Sequence, residues 1–73
     1  MIETKILRSE MILHEDTNKS LAEYLGISES RCSSKINGWN GAAFTDEEKK
    51  MIKERYQLTN EKFMQIFFDP KGT

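Results

Sequence analysis

The chain has 73 residues, a mass of 8.5 kDa and one cysteine, with 11 Lys+Arg against 12 Asp+Glu for a net charge of −1 and a pI near 5.8. This length supports a single domain over residues 1–73 with one small core, and excludes a two-domain enzyme or any barrel or doubly wound sheet of about 200 residues or more. A nucleic-acid binder is usually basic, so the near-balance of charge leaves any such function to be argued from local pattern.

No apolar run approaches the roughly 18 residues of a membrane span. Glu3, Lys5, Arg8 and Glu10 interrupt any signal-peptide pattern. Cys32 alone builds neither a disulfide framework nor a multi-cysteine zinc site. The expectation is a cytoplasmic protein with no membrane association, no cofactor, no metal and no small-molecule ligand.

There is no valine, the one proline is Pro70, and no stretch alternates with period two, so strands are not expected. The spacing predicts five helices. The first covers about residues 3–14, with Leu7 and Met11 as an i, i+4 apolar pair that Ile2 or Ile6 extends; Glu15 and Asp16 close it, and His14 sits where a basic residue complements the helix dipole. The second follows the N-cap residue Thr17 and runs over 18–25, with Leu21, Ala22 and Leu25 on one face and Gly26 at its end, and Ile27 plugging the turn. The third follows Ser28 and covers about 29–36, ending at Asn37-Gly38. The fourth opens on Thr45, which forms a Thr-x-x-Glu capping box with Glu48; its core face is thin, Met51 or Ile52 and then Tyr56. The fifth opens after Thr59 with Phe63, Ile66 and Phe67 at i, i+3, i+4, and 69–73 form a tail.

Residues 17–38 carry the functional signal. Two short helices joined by Gly26-Ile27-Ser28, with a small residue at Ala22 where they cross, form a helix-turn-helix pattern over about 17–37, whose second helix enters a DNA major groove. At about 100° per residue, Cys32 and Ile36 point inward; Ser30, Ser34 and Asn37 point away from the core, flanked by Ser33 and Arg31. Short polar side chains let a helix backbone approach a groove floor.

These residues resemble the Xre/Cro family, the lambda-repressor-like DNA-binding domain of phage and bacterial regulators. The family pattern Thr-Gln-x-x-Leu-Ala-x-x-Leu-Gly-Ile-Ser, followed by a helix ending in Asn-Gly, is met at Thr17, Leu21, Ala22, Leu25, Gly26, Ile27, Ser28, Asn37 and Gly38. The Leu58-Thr59 step before the last helix is also familiar from it. The resemblance implies an all-α, compact five-helix fold and sequence-specific binding of double-stranded DNA at an operator, usually as a homodimer. It implies that Asn18 stands where a Gln commonly bonds phosphate, that Glu29, Ser30, Ser33 and Ser34 face the groove, and that Asn37 touches phosphate. Glu29 takes the place of a usually neutral or basic residue; its carboxylate suits cytosine N4 on one reading and only satisfies the helix dipole on the other.

Arg31 and Lys35 are candidate phosphate contacts, and with Glu29 they make the third helix locally +1. Trp39 is read as a loop aromatic covering the core, with stacking on a sugar-phosphate edge or a partner as the other reading. Phe63 and Phe67 are expected in the core and Phe68 at an interface. Cys32 is expected as a small buried hydrophobe, and Lys49, Lys50 and Lys53 as a solvated face. No phosphate loop, metal-ligand spacing or nucleophile–base pair points to an enzyme. The expected function is a transcriptional regulator of repressor or Cro type, phage-like. The alternative is a protein-interaction module on the same fold, such as an antirepressor or adaptor, which the near-neutral charge favours.

Overall fold

The computed structural model describes residues 4–68. They form α1 (Thr4–Leu13), α2 (Asn18–Leu25), α3 (Glu29–Asn37), α4 (Asp46–Arg55) and α5 (Asn60–Phe67), with a 3-10 turn at Trp39–Gly41. No strand occurs among them, and the all-α five-helix architecture is the one expected. The readings placed on Ile2 and on 69–73 lie outside the described residues.

Four helices open as the hydroxyl residues dictate. Thr17, Ser28, Thr45 and Thr59 each accept from the backbone N–H three residues on, all at 3.1 Å. Each bond satisfies one of the amides that a helix start leaves without a partner. Thr45 and Glu48 complete the expected capping box, Glu48 Oε1 accepting from the Thr45 N–H at 2.8 Å. A second box, unread in the sequence, pairs Thr17 with Ser20, whose Oγ accepts from the Thr17 N–H at 2.8 Å.

Three helices end alike. The N–H one residue past a left-handed position reaches back five residues, from Asp16 to Met11 O (2.7 Å), Ile27 to Ala22 O (3.0 Å) and Leu58 to Lys53 O (2.9 Å). The left-handed residues are Glu15, Gly26 and Gln57, at φ 53°, 77° and 51°. Gly26 takes this conformation without penalty, whereas a side chain there costs about 1–2 kcal/mol. Gln57 is exposed. Gln57→Gly is therefore expected to stabilise the fold by about 0.5 kcal/mol after its greater unfolded-state entropy is subtracted. The urea midpoint should rise with an unchanged slope; a fall would mean that the Gln57 side chain contributes to the turn.

The apolar stripes converge on one core: Leu7 and Met11 from α1, Leu21 and Ala22 from α2, Cys32 and Ile36 from α3, Ile52 from α4, Tyr56 just after it, and Ile66 and Phe67 from α5. Phe44 and Leu58 join them from connections. The radius of gyration is 11.2 Å, the value of about 11 Å expected of a folded chain this long. Phe44, not singled out in the sequence, meets Phe67 edge-on with centroids 6.2 Å apart. Cys32 is fully buried, and that burial pushes its thiol up to about 11. His14 is not simply a dipole complement: its ring stacks on Tyr56 at 5.1 Å.

Three polar ties fix how the helices sit. Asp16, read as part of a polar helix ending, is instead almost wholly buried, its side chain 4% exposed. It accepts from Arg55 Nε (2.7 Å) and Nη2 (3.0 Å), from the Tyr56 hydroxyl (2.6 Å) and from the Ser20 hydroxyl. This carboxylate joins the start of α2 to the end of α4. Glu48 forms the second tie, accepting from Lys35 Nζ at 2.7 Å. The third holds α1 on the end of α3: the Thr4 hydroxyl donates to Ile36 O (3.0 Å) and Arg8 Nη2 donates to Asn37 Oδ1 (3.2 Å).

Candidate nucleic-acid interface

α2 and α3 share the most extensive helix–helix contact of the fold, with Ala22 and Cys32 buried and the turn held by Gly26 at φ 77°. Burying Cys32 and Ile36 turns the Glu29–Ser30–Ser33 side of α3 outward. An open concavity of about 500 Å³ lies there, lined by Asn18, Glu29, Ser30, Ser33 and Trp39. The nine residues of α3 make it about 13 Å long at 1.5 Å per residue.

Five of the expected residues thus meet around one hollow: Asn18 from the first position of α2, three residues from α3, and Trp39 from the turn beyond it. Asn18 also lines a second, smaller hollow of about 230 Å³ with Arg8, Met11, Ile12, Asp16 and Thr17, and so stands on the ridge between the two. Arg31 is exposed and has no ion-pair partner among the described residues.

Other expectations are corrected. Lys35 does not present its ammonium at the outer face. It is paired with Glu48, and the two side chains are only 13% and 12% exposed. The exposed charges of α3 are then Glu29 and Arg31, which cancel, so the local +1 reading fails. Asn37 spends its amide on its own chain, accepting from Arg8 and donating from Nδ2 to Ser33 O at 2.9 Å. It braces the end of α3. Ser34 is half-buried and lies outside the hollow. Trp39 does not cover the core: it is 56% exposed. The tight passage through Gly38 (φ 71°), Asn40 (φ 54°) and Gly41 (φ 76°) holds it out at the rim.

Glu48 is held below its ordinary carboxylate value. Burial pushes it up, but the Lys35 ammonium and the Thr45 N–H outweigh burial. Glu48→Gln retains a capping acceptor and loses the ion pair. It is expected to cost about 1–2 kcal/mol by leaving Lys35 half-buried without a counter-charge, read as a lower urea midpoint; an unchanged midpoint would show that Lys35 swings out to water without penalty.

Two cations near this face escaped the sequence reading. Lys19, exposed in the first turn of α2, follows Asn18 directly, and that position was legible. Arg8 comes to α3 across 29 residues of sequence, a placement that only the packing of α1 produces. At the end of α5, Phe68 is 47% and Met64 51% exposed, and Lys49 Nζ lies 4.9 Å from the Phe68 ring centre. Phe67 is buried and Phe63 partly so, as expected. No helix among the described residues is long and apolar enough to cross a membrane, and they hold no cluster of three or more metal-ligating side chains. No protein-family model matches the chain, and neither a curated protein nor a solved structure matches it significantly.

Proposed function

We propose that the protein binds double-stranded DNA sequence-specifically, laying α3 in the major groove as a repressor- or Cro-type transcriptional regulator. The observation that carries this reading is the hollow along α3 that Ser30 and Ser33 line together with Asn18, Glu29 and Trp39. Small side chains let a helix come close to base edges. Glu29, Ser30 and Ser33 face bases. Arg31, Arg8 and Lys19 supply the phosphate contacts that Lys35 and Asn37 do not. A two-fold operator would take two copies with their α3 helices about 34 Å apart, and the exposed Phe68 and Met64 are the candidate contact between them.

The test is fluorescence anisotropy of labelled duplexes across a salt series. About three phosphate contacts per protomer predict a slope of log K against log salt of about −3 for one copy and about −5 for two copies on one operator. A net charge of −1 makes non-specific affinity weak, so a selected sequence should be held far more tightly than a random one. No binding to a randomised duplex pool at low salt overturns the proposal.

A second reading rests on the exposed Ile12, Leu13, Met64 and Phe68. It makes the fold a protein-interaction module whose partner covers these side chains. Pull-down by a protein, with no response to duplex, would favour it.

A further inference from the structure

The hollow along α3 is lined by one charged group, and that group is an anion. Glu29 is exposed and makes no hydrogen bond or ion pair with the other described residues. Its neighbours there are Ser30, Ser33, Asn18 and Trp39. The nearest basic residues of α3 do not compensate it: Arg31 does not line the hollow, and Lys35 is held by Glu48 at 2.7 Å. A carboxylate in this setting repels phosphate and the acceptor-rich edge of guanine. It accepts from an amino group.

Resting on the DNA-reading proposal above, the geometry points to a specific base chemistry: Glu29 accepts from an exocyclic amino group, cytosine N4 or adenine N6, at the end of the site facing the start of α3. Trp39 packs its ring flat on a deoxyribose at the other end. The two bases differ in what lies beside the amine. Adenine N7 is an acceptor that needs a donor next to Glu29, whereas cytosine N4 is satisfied by the carboxylate alone. The serine hydroxyls of the floor can donate to N7 or to a backbone oxygen, so the amine is the shared recognition element. Trp39 sits at the C-terminal end of α3, where the helix leaves the groove. It carries no charge, so its contribution is apolar contact that excludes water, not phosphate neutralisation.

In vitro selection from a randomised duplex pool, run with the wild-type chain and with Glu29→Ala, tests this. The wild type should select sites with cytosine or adenine at one fixed position, and the base selected identifies which amine is read. Replacing that base pair by one that presents only an acceptor there should weaken wild-type binding about tenfold and Glu29→Ala binding, which has no side-chain acceptor, less than about twofold. Trp39→Ala should weaken all duplexes by one common factor and leave the salt slope unchanged, since no phosphate is neutralised by the ring. Trp39 is the only tryptophan, so its emission reports occupancy of the hollow directly.

Selected sites lacking an amino base at a fixed position, or equal discrimination by wild type and Glu29→Ala, would overturn the inference while leaving sequence-specific DNA binding intact. Absence of any duplex binding at low salt would overturn the DNA reading itself. A larger Trp39 response to an oligo-arginine peptide than to any duplex would assign the carboxylate to a protein partner and overturn it as well.

Discussion

Asp16→Asn is expected to destabilise the protein by about 3 kcal/mol. The carboxylate is buried and saturated by four donors from Arg55, Tyr56 and Ser20. An amide in its place turns an NH2 group toward at least one of those donors and removes the counter-charge of a guanidinium whose side chain is 29% exposed. A domain of this length has a total stability of only about 4–11 kcal/mol. The loss should therefore appear as a fall in Tm of about 15 °C, with Glu15→Gln, at the exposed neighbouring position, as the control. A fall of under about 3 °C would mean that the tie adds nothing net, the charge's desolvation cancelling its bonds.

The same group sets an acid limit. The Arg55 guanidinium holds the Asp16 carboxyl well below the usual carboxylate range, with the Ser20 and Tyr56 hydroxyls assisting and burial opposing. A folded-state value below the unfolded one, about 3.9, means that the folded state resists protonation. Its stabilising contribution is complete above about pH 4 and is lost as pH falls through the folded value. Glu48 is shifted in the same direction. Wild-type Tm should thus fall steeply below pH 4, and Asp16→Asn should flatten part of that fall without abolishing it.

Ser30→Glu is expected to weaken binding to any selected duplex by about 100-fold, because it sets a second anion beside Glu29 on the face proposed to meet DNA, where like charges cost several kcal/mol. Folding should be untouched. Ser30 is exposed, and an acidic side chain in the first turn of α3 is favoured by the helix dipole. Melting and helicity within about 0.5 kcal/mol of wild type, together with lost binding, would tie the loss to the hollow. Retained binding would show that α3 is not the reading helix. Ser30 is a better position for this test than Ser34, which is half-buried and outside the hollow.

The sequence alone determined the helices and most of the core. Hydroxyl caps at Thr17, Ser28, Thr45 and Thr59, the glycine after α2 and the i, i+4 apolar pairs are local signals, set by backbone amides and side-chain direction within one turn. They also placed Cys32 and Ile36 inward and Ser30 outward; of the other two residues that the period turned outward, Ser34 is half-buried and Asn37 is tied to Arg8 and Ser33. The tertiary structure decided what the charged and aromatic residues do. Lys35 sits on α3 in the register of a phosphate contact, but only the approach of α4 brings Glu48 within 2.7 Å and takes the ammonium away. Asp16 looks like a solvated loop residue until α4 delivers Arg55 and Tyr56 from 39 and 40 residues further along the chain. Trp39 follows Gly38 and carries no helical period, so its direction depends on the left-handed path of the turn and not on any pattern. Local bonds are encoded by neighbours a few residues apart, whereas the fate of a long charged side chain depends on which distant group lies within its reach, and only the packed fold sets that.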